Sequence, residues 1–160
     1  MTAIDMTAVT AIDMTAMAAA DATAVTAVEV QLRLVGAVLV ALGVAHVALP
    51  RVLAWRPQFA ALHPLTRHVL YTHTFFIGVM CVLLGLAPLL LAADLLRPGR
   101  VPAAVLGAEC VFWGLRWAAQ FVAFPPGTWR GSRLHRAGYA GFTVLWTWIV
   151  AVFAAALFTR

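Results

Sequence analysis

TFFIGVMCVLLGLAPLLLAA, residues 74–93, is a run of twenty residues without a single charge. A helix rising about 1.5 Å per residue crosses the ~30 Å hydrocarbon core of a bilayer in that length, so the stretch predicts a membrane helix. The helix is expected to begin at about residue 66. Pro88 inside it predicts a kink, because proline withholds an N–H and crowds the preceding turn. Three more segments have the same character: residues 31–49 (QLRLVGAVLVALGVAHVAL), about 101–124, and about 135–158. The whole chain of 160 residues is 64% hydrophobic and 11% charged, with a mean hydropathy of +0.94. A soluble domain of this size could not bury so much apolar surface, so lipid is the expected solvent. The expected fold is all-α, a four-helix transmembrane bundle running up-down-up-down. Connections of roughly 7–16 residues keep sequential helices adjacent and antiparallel.

Residues 1–28 read differently. TAIDMTAV, TAIDMTAM and AAADATAV follow one another from residue 2 to residue 25, placing Asp5, Asp13, Asp21 and Glu29 eight residues apart. Eight residues do not match two helical turns, so the acids drift around any helix formed here. The segment is neither a signal nor a transit peptide, lacking a long apolar core and arginine. It is expected to be a disordered or fraying acidic tail, with residues 29–160 as the transmembrane domain. Translation starting at Met14 or Met17 is an alternative. In the first apolar segment Ala37, Ala41 and Ala45 form a small-residue ridge suited to close helix packing.

The net charge of +5 comes from eleven arginines and no lysine against six acids. The sequence pI near 10.6 raises nucleic acid as a partner. No basic run with interleaved aromatics occurs, and the arginines sit in short connections at helix ends, where they set topology and meet anionic headgroups. Nucleic acid is therefore not an expected partner; the bilayer is. The first and third connections, residues 50–65 and 125–134, share their side with Arg51, Arg56, Arg67, Arg130, Arg133 and Arg136. The opposite side holds Arg33, Arg97, Arg100 and Arg160. That bias places the two connections in the cytoplasm. Trp55 fits an interfacial aromatic belt. Cys81 and Cys110 belong to no C-x-x-C motif and read as small buried apolar residues.

Ionisable side chains gather toward this end of the bundle: His46, His63, His68, His73, His135 and Arg116. Bilayer proteins seldom carry such groups at depth unless something polar is handled there. In the third segment Glu109, Trp113, Arg116 and Gln120 fall at i, i+4, i+7 and i+11, one helical face that must turn inward. Glu109 and Arg116 lie about 10 Å apart along the axis, too far for direct pairing. By helical rise, His46, His73, Arg116 and Gln120 share a similar depth, with His135 and Tyr139 as the fourth wall. The expected site has His73 and His46 as proton-handling groups. Arg116, Gln120, Glu109, Trp113, His135 and Tyr139 are its ligand-binding residues. Arg116 offers a forked donor for phosphate or carboxylate.

Two other readings compete. His46 and His73 differ in depth by about three residues, roughly 5 Å by helical rise, so bis-imidazole haem is geometrically conceivable, although no paired-histidine spacing on one helix and no C-x-x-C-H motif occurs. No metal ligand is assigned, and the cofactor stays open. The chain could equally serve as an accessory subunit of a larger membrane complex, or form a homo-oligomer.

His63-Pro64-Leu65-Thr66-Arg67, then Tyr71, His73, Phe75 and Phe76, then Trp113-Gly114-Leu115-Arg116 with Gln120-Phe121, and finally Trp129-Arg130, carry a resemblance. Over about residues 34–157 the chain resembles a group of small, uncharacterised bacterial four-helix membrane proteins. The resemblance supports the fold and the position of the site only, and it implies no activity; the expected location is a bacterial cytoplasmic membrane. Signatures of familiar membrane enzymes, an aspartate-rich Mg²⁺ motif, H-E-x-x-H or G-x-S-x-G, are missing from the sequence. The sequence leaves open whether the chain is an enzyme. The expected function is binding or acting on an amphipathic, anionic small molecule or lipid in a polar pocket at one membrane face.

Overall fold

The computed structural model describes residues 6–123 and 133–160. Residues 1–5 and the third connection through Ser132, with Trp129 and Arg130, lie outside the described residues. The described chain is all helix: α1 (Met6–Ala45), α2 (Leu49–Val52), α3 (Trp55–Gln58), α4 (Pro64–Leu95), α5 (Arg100–Val122) and α6 (Arg133–Thr159).

Three of these are long and apolar enough to cross a membrane: Met14–Ala45, Pro64–Leu95 and His135–Thr159. By length and composition they fit an integral membrane protein. The sequence predicts four such helices, so the count needs correcting. α5 has 23 residues, ample length, but Glu109, Arg116 and Gln120 dilute its apolar character. In the repetitive segment, residues 6–28 are helical. The boundary at residue 28 falls inside the 40-residue α1, not at an element end. Alanine has the highest helix propensity, so an alanine-rich stretch joined to a stable helix extends it readily. Residues 14–24 nevertheless stand clear of the other helices, exposed throughout, with Met14 at 71%.

α1 packs most extensively on α4, and α5 on α6. The α1–α4 contact is a backbone approach made by glycine. A Cβ on Gly36 would meet the Gly85 carbonyl oxygen at 2.6 Å, and one on Gly43 would meet the Gly78 oxygen at 2.5 Å. The pairs 36/85 and 43/78 run in opposite senses, so the helices are antiparallel. The expected alanine ridge takes no part in this seam: Ala37, Ala41 and Ala45 are exposed. Alanine's methyl group would hold the backbones apart where glycine lets them touch.

Pro88 is buried, and α4 departs from helical geometry three residues later at Leu91 (φ −116°, ψ 20°). That irregularity fits the proline kink. Arg33 on α1 reaches across to donate to the Leu89 carbonyl at 3.3 Å while pairing with Glu29 at 2.7 Å. α6 turns Ile149, Phe153 and Ala156 into a common core with Leu32, Val35 and Leu39 of α1. Trp148 Nε1 donates to Gln31 Oε1 at 2.9 Å across the same seam. At the other end of α6, Arg160 donates to the Gly99 carbonyl at 3.0 Å, which sets α6 antiparallel to α5. Between α1 and α4 the short helices α2 and α3 fold over one end, where Trp55 packs on Phe59 and Tyr71 with ring centroids 5.1 and 5.9 Å apart.

Candidate functional site

The inward face of α5 divides into two hydrogen-bonded pairs one turn apart. Trp113 Nε1 donates to Glu109 Oε2 at 2.7 Å, and Arg116 Nη1 donates to Gln120 Oε1 at 3.4 Å. Glu109 and Gln120 are 4% and 3% exposed. The i, i+4 spacing makes both pairs local to the helix, so a buried carboxylate and a guanidinium each have a partner without reaching each other. The Arg116 guanidinium carbon also lies 4.6 Å from the Trp146 ring centroid. Trp146 in turn stacks on Trp113 at 5.6 Å with the rings 10° from parallel. An aromatic shelf from α5 and α6 thus carries the cation on its face.

Beside this shelf is a cavity of about 460 Å³ bordered by His46, His73, Cys81, Trp113, Arg116 and Trp146. Each long helix supplies part of the wall. Gly78 makes room for His46, since a Cβ there would meet the His46 Cβ at 2.9 Å. The His46 Nδ1 donates to the Leu42 carbonyl at 2.7 Å, which leaves Nε2 as the acceptor of the neutral ring. The remaining lining is largely apolar, from Leu42, Phe76, Ile77, Met80, Phe112 and Phe142.

Of the five histidines, His46 and His73 border the cavity. His63 instead caps α4, its Nδ1 accepting from the Leu65 N–H at 3.3 Å. His68 is exposed. Trp113 and Arg116 line the cavity, whereas Glu109 and Gln120 do not line it and are hydrogen-bonded to those two neighbours. His135, exposed, and Tyr139, half-buried, are not among its lining residues. In their place α6 contributes Phe142 and Trp146. Those two lie three and seven residues past Tyr139, on the same face but deeper. The aromatic spacing Tyr139–Phe142–Trp146 was visible in the sequence and marks that face. Among the described residues no group of three or more His, Cys, Asp or Glu is close enough to hold a metal ion.

No protein family, curated protein or solved structure matches the chain.

Proposed function

We propose that the chain is a small four-helix integral membrane protein, with α5 as the fourth span. Its cavity binds or acts on an amphipathic, anionic small molecule or lipid near one face of the bilayer. The observation that carries this reading is Arg116, a cation on an aromatic shelf beside a largely apolar cavity. Arg116 holds the anion, and Gln120 fixes the guanidinium plane. His73 donates a hydrogen bond or moves a proton at the same wall, and His46, with Nε2 as its acceptor, takes up a proton there. Residues 29–160 form the membrane unit in a bacterial cytoplasmic membrane, with residues 50–65 and 125–134 on the cytoplasmic side.

The test is thermal unfolding of the purified full-length chain with decyl phosphate and with decanoate. A ligand that binds the folded state raises the midpoint, and at about one hundred times Kd the stabilisation is about 2.7 kcal/mol. Arg116→Gln should abolish the rise. No rise with either anion in the unaltered chain sinks the reading.

Two observations favour other readings. Ala37, Ala41 and Ala45 are exposed, as a helix ridge docking on a larger complex would require. In that accessory role Arg116→Gln weakens assembly, and no ligand-dependent shift exists to lose. The His46 Nδ1 bond to a carbonyl is the arrangement that orients metal-ligating imidazoles. A stoichiometric Soret band, lost in both His46→Ala and His73→Ala, would replace the anion pocket with bis-imidazole haem.

A further inference from the structure

The cavity walls are unequal. α1 and α4 meet through glycine, and α5 and α6 through stacked indoles, but α4 and α5 touch more sparsely than α1 and α4, α5 and α6, or α1 and α6. The lining along that seam is apolar and open, with Phe76 57% exposed and Ile77, Met80 and Phe112 also exposed. In a bilayer such an opening looks onto acyl chains. Deeper in the cavity stands Trp146, only 4% exposed. Its ring closes the inner wall, and its indole nitrogen is itself covered, so Trp146 shapes the cavity without opening its N–H into it.

We propose that the cavity takes a single-chain anionic amphiphile from the bilayer through the α4–α5 seam. Its apolar chain lies along Phe76, Ile77, Met80 and Phe112. Its carboxylate or phosphate head accepts hydrogen bonds from the Arg116 guanidinium. This assignment rests on the anion-pocket reading and adds the ligand's shape and its route. Binding sites for small molecules run from about 300 to 1,000 Å³. The 460 Å³ here lies low in that range, which suits one chain better than two.

The experiment is equilibrium binding of radiolabelled palmitate to the full-length chain in a neutral detergent. The competitors are dodecyl phosphate, methyl palmitate, inorganic phosphate and a diacyl phosphatidylglycerol. Saturable binding is expected, displaced by palmitate and by dodecyl phosphate but not by the other three. Arg116→Gln should weaken it by at least about tenfold, the loss of one charge-assisted contact. Ala45→Trp fills the cavity from an exposed position on α1 and should abolish binding while leaving the unfolding midpoint in place. If dodecyl phosphate fails to displace palmitate, the head is a carboxylate and the proposal stands in that narrower form. Displacement by inorganic phosphate alone overturns the amphiphile and leaves the anion pocket standing. Displacement by phosphatidylglycerol overturns the single chain. Displacement by methyl palmitate, with binding indifferent to Arg116→Gln, overturns both readings. Binding unchanged by Ala45→Trp places the lipid outside the cavity and overturns this proposal alone.

Discussion

Glu109 shows how a charged residue is tolerated inside such a helix. The carboxylate is buried, a position that costs several kcal/mol unless its oxygens are hydrogen-bonded. Trp113, one turn on, supplies the donor at 2.7 Å and also the ring that stacks on Trp146. Trp113→Phe keeps one aromatic ring and removes the N–H together with the rest of the pyrrole ring. The expected loss is about 1–3 kcal/mol of stability, the usual penalty for a buried acceptor left without its donor. Glu109→Gln in the same background should recover part of it, because a neutral amide is cheaper to bury than a carboxylate. Thermal unfolding of the four proteins in the cycle measures the coupling, and additive single losses would show that the bond does not brace the shelf. The pattern that singled out Glu109, Trp113, Arg116 and Gln120 was legible because period 3.6 and the cost of charge in lipid act on one helix alone. The wall from α6 was not legible at the right depth. Which turn of a helix faces a cavity depends on how far neighbouring helices slide past one another, and no periodicity within α6 encodes that.

The α1–α4 seam raises the same question for whole elements. Both Gly36/Gly43 and Ala37/Ala41/Ala45 are small-residue ridges in the sequence, and the alanines, at regular i, i+4 spacing, look the better candidate. The structure uses the glycines, seven residues apart, against Gly78 and Gly85 at the same spacing on α4. The difference is a single methyl group. At Gly85 an added Cβ would lie 2.8 Å from the Gly36 carbonyl oxygen and from the Leu39 Cβ, and a backbone atom cannot rotate away. Gly85→Ala should therefore destabilise the protein by about 1–3 kcal/mol, the range for overpacking a tight contact. Ala41→Val on the exposed ridge should change stability by less than about 0.5 kcal/mol in the purified chain. Equal effects from the two substitutions would mean that the helices do not meet on the glycine face. Gly78→Ala should also disturb His46, whose Cβ would lie 2.9 Å from the new methyl, so it belongs with the cavity as much as with the seam.

Across the whole molecule the unresolved matter is α5, the least apolar long helix and the one that carries the polar face. Three helices meet the length and hydropathy of independent spans. On an insertion scale, arginine or an acid at mid-membrane costs about 2.5–3.5 kcal/mol, so α5 alone should insert poorly. In the folded chain that cost is offset, because Glu109 and Gln120 are covered and Arg116 lies on Trp146. The prediction has two parts. As isolated segments in an insertion assay, residues of α1, α4 and α6 should cross the membrane while α5 should not, and Glu109→Leu with Arg116→Leu should restore its insertion. In the full chain, α5 should nevertheless cross. The contact between Arg160 and the Gly99 carbonyl puts the end of α6 beside the turn between α4 and α5. Single cysteines replacing Arg97 and Arg160, in a background with Cys81 and Cys110 changed to serine, should therefore react with an impermeant thiol reagent from the same side. A cysteine replacing Gln58 should react from the other side. If α5 stayed out of the bilayer, α6 would carry Arg160 to the face opposite Arg97, and labelling from opposite sides would end the four-span arrangement. The side that labels Gln58 also tests whether the arginine bias of the first connection has set it in the cytoplasm.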